Sequence, residues 1–249
     1  MARLVWITGA STGIGHALAV ALARDGWTVA ASARDADALR RMAAESAGRV
    51  HAFPLDVTDE PSVITTLTAI EQTLGPIDLA LFAAGTHLPI SADHFDTGKF
   101  RKLVEVNLMG VVNCLGAVLP GMIARRAGQI AIISSVAGYF GLPTAAAYGA
   151  TKSALITLAE ALKFDCDRHG IAVSIVNPGF VKTPLTDKNP FPMPFLIGAE
   201  EAARRIIDGL ATKRFEIAFP RRFVLILKLI RLLPYRLFFP LVARGTRTG

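Results

Sequence analysis

The run LVWIT at residues 4–8 ends in the turn TGASTGIG, residues 8–15, and an apolar, helix-favouring segment, HALAVALARDG, follows at once. Strand, glycine-rich turn and helix in this order constrain the fold more than any other stretch. Glycines alone say little; this flanking context gives them meaning. Gly9 permits a tight turn, Gly13 lets the backbone approach a pyrophosphate, and Gly15 allows the helix to pack closely. The first amides of the helix then face the phosphate charge. Ser11, Thr12 and Ile14, which complete the turn, join these glycines as candidate cofactor contacts.

Strands and helices then alternate. Residues 27–33 read as a second strand, 37–47 as a helix, 50–55 as a strand ending at Asp56-Val57, and 59–74 as a helix. Asp59 is a plausible N-cap of that helix, with Pro61 in its first turn. Residues 77–82 form a fourth strand that runs into Ala84-Gly85. A long helix over 99–125, strands at 129–133 and 171–176, and the segment Asn177-Pro178-Gly179 complete the pattern. The alternation implies an α/β fold: a parallel sheet with right-handed crossovers and helices on both faces. Asn107 falls inside the long helix, where an amide needs a partner. It is either a packing or kink residue near Gly110, or a polar group turned toward the site to hold water.

The second strand ends in Ala33, followed by Arg34-Asp35, where dinucleotide folds read the adenosine ribose. An acid there would repel a 2′-phosphate, whereas the planar fork of Arg34 can pair with one. NADP(H) is therefore expected over NAD(H), although Asp35 works against the arginine's charge.

Tyr148 and Lys152 lie four residues apart at the start of a helix-compatible run and share one face. A nearby cation favours the phenolate, so the tyrosine pKa is expected to fall below its reference of about 10. Such a phenol is a usable proton donor near neutral pH. Ser135 follows the strand at 129–133 and can lean over the same pocket. Each piece alone is also ordinary surface or turn chemistry.

Composition narrows the function. The 249 residues fit one domain, and 52% hydrophobic content is ample for a core. Cys114 and Cys166 have no ligand spacing, none of the five histidines has metal spacing, and no metal is expected. A strand beginning almost at Met1 leaves no room for a secretory signal, so a reducing cytosol is the expected compartment. Residues 213–249 carry nine Lys/Arg against the single acid Glu216, a net +8, which leaves −1 for the rest of a chain whose total is +7. Basicity confined to the tail argues against a nucleic-acid groove over the fold.

These motifs in this order resemble the short-chain dehydrogenase/reductase family in its compact single-domain branch: TGASTGIG, the AAG after strand four, Asn107, Ser135, Tyr148-x-x-x-Lys152, and Pro178-Gly179 with Thr183. The resemblance covers residues 3 to about 220. It implies a seven-stranded Rossmann-type doubly wound sheet with 215–219 as its last strand, a domain at 1–220, and an extension at 221–249 that is no independent domain. It also implies a tetrad of Asn107, Ser135, Tyr148 and Lys152 that interconverts a carbonyl and an alcohol. In that scheme Tyr148 protonates the oxygen and Ser135 hydrogen-bonds it. Lys152 lowers the tyrosine pKa and holds the nicotinamide ribose, and Asn107 fixes a water. Thr183 with Pro178, Gly179 and Val181 should position the carboxamide. Two departures stand out: Phe82 and Ala83 replace the family's two asparagines, and Thr12 stands where NADP-preferring members often carry a base. Homodimers or homotetramers are the assemblies the resemblance favours.

The connection at 184–198 holds four prolines and two phenylalanines and reads as a lid over an apolar or lipid-like substrate. Residues 223–233, FVLILKLIRLL, carry only Lys228 and Arg231, on the same side as Arg221 if helical. This stretch is shorter than the about 20 residues a bilayer requires. A basic, strongly apolar extension over 221–240 reads as peripheral on an anionic membrane. A subunit interface or a flap over the pocket is the alternative. At the level of function, a non-catalytic dinucleotide-binding regulator and a reductase of small acyl intermediates compete with the carbonyl reductase.

Overall fold

The structure is a computed structural model that describes residues 3–187 and 192–246. Strand β1 (Leu4–Thr8) is buried along its whole length. Its side chains alternate between two cores: Val5 and Ile7 enter one, Leu4 and Trp6 the other. A strand buried on both faces belongs in the middle of a parallel sheet covered by helices on each side.

The neighbours are β2 (Thr28–Ser32), β3 (Val50–Ala52), β4 (Leu79–Phe82), β5 (Gly128–Ile133), β6 (Ile171–Pro178) and β7 (Glu216–Phe219). They form a seven-stranded sheet in the order β3-β2-β1-β4-β5-β6-β7, with every pairing parallel. On one face lie α1 (Gly13–Arg24), α2 (Ala36–Ala44) and α7 (Ala199–Ala211), which contribute Leu18, Leu39 and Ile206 to the core. On the other lie α3 (Glu60–Leu74), α5 (Gly110–Arg125) and α6 (Ala146–Arg168), which contribute Ile70, Cys114 and Leu155. The doubly wound α/β architecture expected from the alternation is therefore present. The strand order reverses between β1 and β4, and ligands of such sheets bind at that switch.

Local chemistry explains most element ends. Asp59 caps α3 by accepting from the Ser62 amide at 3.3 Å, and Asp35 caps α2 by accepting from the Ala38 amide at 2.9 Å. Strand β6 runs two residues past its expected end because Asn177 and Pro178 pair with β7 alone, opposite Ala218 and Phe219. On the β5 side the ladder stops at Val176, so the missing N–H of Pro178 costs nothing there.

The expected single helix over 99–125 is instead three pieces: α4 (Thr97–Val104), a π-helical turn (Glu105–Met109) and α5. One extra residue in the turn rotates Asn107 to the inside, where it is fully buried. The backbone at Gly110 then comes so close to Val57 that an added Cβ would lie 2.5 Å from its Cγ2.

The tail forms α8 (Arg221–Arg231) and α9 (Tyr235–Thr246). Val224 and Phe238 are buried against the body, while Leu225, Ile226, Leu229, Leu232, Leu237 and Phe239 are exposed. Lys228 pairs with Glu216. The basic side of α8 is thus partly committed to the protein, and its outward surface mixes Leu225, Ile226 and Leu229 with Arg221, Arg222 and Arg231. Among the described residues one helical stretch, Thr97–Arg125, is long and apolar enough to cross a membrane by composition. Its Val111, Cys114, Leu115, Val118 and Met122 are buried in the core.

The two positions where asparagines are usual are met by apolar packing. The Phe82 ring stands edge-on to Trp6, centroids 5.9 Å apart, and the Trp6 indole donates to Ser32 Oγ at 3.0 Å. Restoring the common residue should therefore harm this protein. Phe82→Asn is expected to lower unfolding free energy by about 3 kcal/mol or more, from lost ring burial plus a buried amide without partners. Urea denaturation at neutral pH measures it.

Candidate active site

One cavity of about 390 Å³ opens at the carboxyl ends of β1 and β4. Its walls include every residue expected to touch the dinucleotide, from the Gly9–Gly15 turn through Arg34, Asp56, Val57, Ala84 and Gly85 to Pro178, Gly179, Val181 and Thr183. Ser135, Tyr148 and Lys152 line the same cavity. The glycine turn is built as a cradle. Gly9 has φ 69°, and a Cβ there would lie 2.6 Å from the Ala84 nitrogen. Gly13, at the head of α1, has φ 58° and faces the Thr183 side chain, whose Cγ2 would lie 3.1 Å from an added Cβ. Backbone is thereby presented where any larger residue would strain the turn and fill the space, which suits a pyrophosphate at a helix N-terminus.

Arg34 is exposed at the rim, and its guanidinium helps draw Asp56 below the usual carboxylate range. Burial pushes Asp56 upward, but the bonds from the Thr58 amide at 3.0 Å and the Thr58 hydroxyl at 2.8 Å outweigh it, with Arg34 the smallest contribution. The carboxylate of Asp35 accepts from the Ala38 amide as the cap of α2.

Tyr148 and Lys152 sit in the first two turns of α6, and Lys152 Nζ lies 5.6 Å from the centre of the tyrosine ring. Lys152 is buried, donates to Ile133 O at 2.9 Å, and is pushed down to about 8 by loss of solvent. The expected lowering of Tyr148 is not what this environment produces. Burial raises its pKa, and hydrogen bonding with Ser135 pulls against that rise. Desolvation penalises the phenolate and the ammonium alike, so proximity to the cation does not by itself make the phenol acidic. Ser135 begins the short 3-10 turn Val136–Gly138, and its Oγ accepts from the Ala137 amide at 3.1 Å.

Asn107 does not line the cavity. Its Oδ1 accepts from the Thr86 amide at 2.7 Å, and its Nδ2 donates to Thr86 O at 2.9 Å and Thr151 Oγ1 at 3.3 Å. The amide is spent on clamping the segment after β4 rather than turned into the cavity. At Gly85 an added Cβ would lie 3.4 Å from Asn107 Oδ1 and 3.6 Å from Lys152 Nζ.

His87 is a neighbour the sequence did not single out. Its ring stands edge-on to Tyr148, centroids 4.8 Å apart, and its Nδ1 is buried without a hydrogen-bond partner. Burial lowers its pKa, so it meets the tyrosine as a neutral ring. Only its place two residues beyond Gly85 could have signalled this. Beyond Gly179, Phe223 of α8 packs against Phe180 and against Phe195 from the proline-rich connection, with centroids 5.9 and 5.7 Å apart. Residues 188–191 of that connection lie outside the described residues. Among the described residues no group of three or more His, Cys, Asp or Glu could hold a metal.

A family profile described as short chain dehydrogenase matches residues 3–191. The chain belongs to the short-chain dehydrogenase family. It is 35% identical over 239 residues to an uncharacterized oxidoreductase of Myxococcus xanthus, covering 95% of this chain and 94% of that one. A glycine betaine reductase of Emericella nidulans is 36% identical over 186 residues, which is 74% of this chain but 15% of that far longer protein. Among solved structures, a short-chain dehydrogenase from Streptomyces avermitilis superposes with TM-score 0.84 at 27% identity over 98% and 99% of the two chains. A variant of an actinorhodin polyketide ketoreductase, solved with NADPH, gives 0.79 at 26% over 88% and 95%. The protein is thus a short-chain oxidoreductase, of a family that binds NAD(P).

Burial of Lys152 has a thermodynamic signature in this dehydrogenase. Its folded pKa of about 8 lies below the unfolded 10.5, so the unfolded chain binds more protons between those values. Stability should rise as pH climbs through that window and should carry the full penalty below pH 8. Lys152→Met should raise the unfolding free energy of the ligand-free protein by about 1–3 kcal/mol at pH 7, a gain that shrinks toward pH 10.5. Paired urea titrations at the two pH values check the sign.

Proposed function

We propose that this dehydrogenase is an NADP(H)-dependent oxidoreductase that interconverts a carbonyl and an alcohol on an apolar or lipid-like substrate. The observation that carries the reading is the convergence of Ser135, Tyr148 and Lys152 on the cavity walled by the glycine turn. The Gly9–Gly15 turn, Arg34, Asp56, Val57, Ala84, Gly85 and the Pro178–Thr183 stretch would hold the dinucleotide, with Arg34 on its 2′-phosphate. When bound, that cofactor supplies or accepts the reducing equivalent.

The protein's own residues manage the oxygen and its proton. Burial keeps Tyr148 protonated at rest, so it stands ready as the donor to a carbonyl oxygen gaining charge. Ser135 donates a hydrogen bond to the same oxygen, and this bond strengthens as charge develops. Lys152, lowered only to about 8, is still mostly an ammonium at neutral pH and stabilises the phenolate left behind. Asn107 clamps Thr86 beside the cavity, and a water ordered next to this segment would return the proton. Oxidation of the alcohol runs the same transfers in reverse.

The substrate class rests on the aromatic group of Phe180, Phe195 and Phe223, of which Phe223 packs against Gly179 of the cavity wall. The exposed leucines of α8 lie beside it and, with the tail's net positive charge, support peripheral binding of residues 221–240 to an anionic membrane. Exposed Ile123 and Phe164 on α5 and α6 support self-association as a homodimer or homotetramer.

Three measurements test these assignments. Tyr148→Phe should cut turnover by about 10²–10⁴-fold while leaving NADPH affinity nearly unchanged; retained turnover would remove the assignment. Arg34→Ala should weaken NADPH by about tenfold or more, as expected for a charge-assisted bond, with little effect on NADH. In flotation with phosphatidylserine vesicles the protein should partition to lipid, and Leu225→Glu with Leu229→Glu should release it.

A further inference from the structure

Behind Ser135, the carboxylate of Glu216 gathers donors from three separate elements. The Tyr139 hydroxyl donates at 2.7 Å, Asn177 Nδ2 at 3.1 Å, and Lys228 Nζ completes the set. Burial pushes Glu216 upward, yet the bonds from Lys228, Tyr139 and Asn177 outweigh it and hold the carboxyl below its usual range. Glu216 heads β7, Asn177 lies near the end of β6, and Lys228 belongs to the tail helix α8, its ammonium 5.5 Å from the centre of the Tyr139 ring.

Tyr139 closes the turn that Ser135 opens. Gly138 N donates to Ser135 O at 2.9 Å and Tyr139 N donates to Val136 O at 3.1 Å. Gly138 backs so closely on α6 that an added Cβ would lie 2.8 Å from the Lys152 carbonyl. A turn this short, wedged against the lysine's own backbone, has little room to absorb a shift at one end. The next residue, Phe140, is buried edge-on against Phe238 of α9, centroids 5.2 Å apart. Both tail helices therefore grip adjacent residues, α8 through Glu216 to Tyr139 and α9 directly on Phe140.

We propose that Glu216 and Tyr139 are positioning residues for Ser135, and that Lys228 is the handle by which the C-terminal helices set the serine's place over the reacting oxygen. This rests on the reading of Ser135 as a hydrogen-bond donor to that oxygen. A tail that docks as drawn completes the site; a tail pulled away from Glu216 leaves the serine turn loose and the enzyme slow. The tail would then be a part of the catalytic apparatus rather than an appendage.

The test uses the full-length enzyme with NADPH and an aldehyde or ketone substrate. Lys228→Met should lower kcat by about tenfold, the scale of a misplaced catalytic group, while the KM for NADPH and the melting temperature stay put. Lys228→Arg should restore most of the loss. Without cofactor, the amides of Ala137 and Gly138 should exchange with solvent faster in Lys228→Met than in the parent. Tyr139→Phe should behave like Lys228→Met, and in a Ser135→Ala background Lys228→Met should cost nothing further. If Ser135→Ala is inactive but Lys228→Met and Tyr139→Phe turn over at the parent rate, the coupling is wrong and the assignment of Ser135 survives. If Ser135→Ala is fully active, both fall.

Discussion

The amine of Lys152 is held out of water against the carbonyl of Ile133, at the end of β5, and the site is arranged around that placement. A buried ammonium is costly, and the cost is visible in its fall to about 8. The same loss of solvent holds the Tyr148 phenol protonated. The two groups thus form a balanced pair. In the proposed reaction the phenol keeps its proton until an oxygen with growing charge can take it, and the cation is already in place when it does. Stability is surrendered at this point and supplied elsewhere, chiefly by the two apolar layers that bury β1 on both sides.

Much of this was legible in the chain. The strand–glycine–helix opening and the alternation that follows fixed a doubly wound parallel sheet, because periodicity and turn chemistry are local. The candidate contacts also came together, since they lie at carboxyl ends of strands that the topology must place side by side. What escaped depends on distant partners or on a change of helical pitch. The π-helical turn at Glu105–Met109 cannot be seen in a pattern of apolar residues, yet it decides which way Asn107 points. The approach of His87 to Tyr148 joins residues 61 positions apart, through a loop with no regular period. The pKa of Tyr148 followed from spacing only in direction of charge; burial, which spacing does not report, reversed the outcome.

The tail illustrates the same limit. Composition separated its charge and apolar residues from the rest of the chain, and exposed apolar residues did emerge on α8. Its attachment did not follow from composition. Lys228, which helical spacing grouped with Arg221 and Arg231, turns back to Glu216, and Phe238 reaches Phe140. The helices that present apolar residues to solvent are therefore the ones fastened beside the serine turn and the aromatic group around Phe223. Exposed apolar surface and the serine turn thus lie close together.

The central claim is that the Lys152 ammonium, set beside Tyr148, stabilises the phenolate that burial disfavours. The chain has three tyrosines, and they occupy different settings: Tyr139 is raised strongly by burial and Glu216, Tyr235 is exposed, and Tyr148 shares its pocket with Lys152. Ultraviolet difference titration of phenolate, in the Tyr139→Phe, Tyr235→Phe background with NADP⁺ bound, isolates Tyr148. The account predicts one ionisation that moves to higher pH when Lys152 is replaced by Met. An ionisation at the same pH with and without the lysine would contradict it.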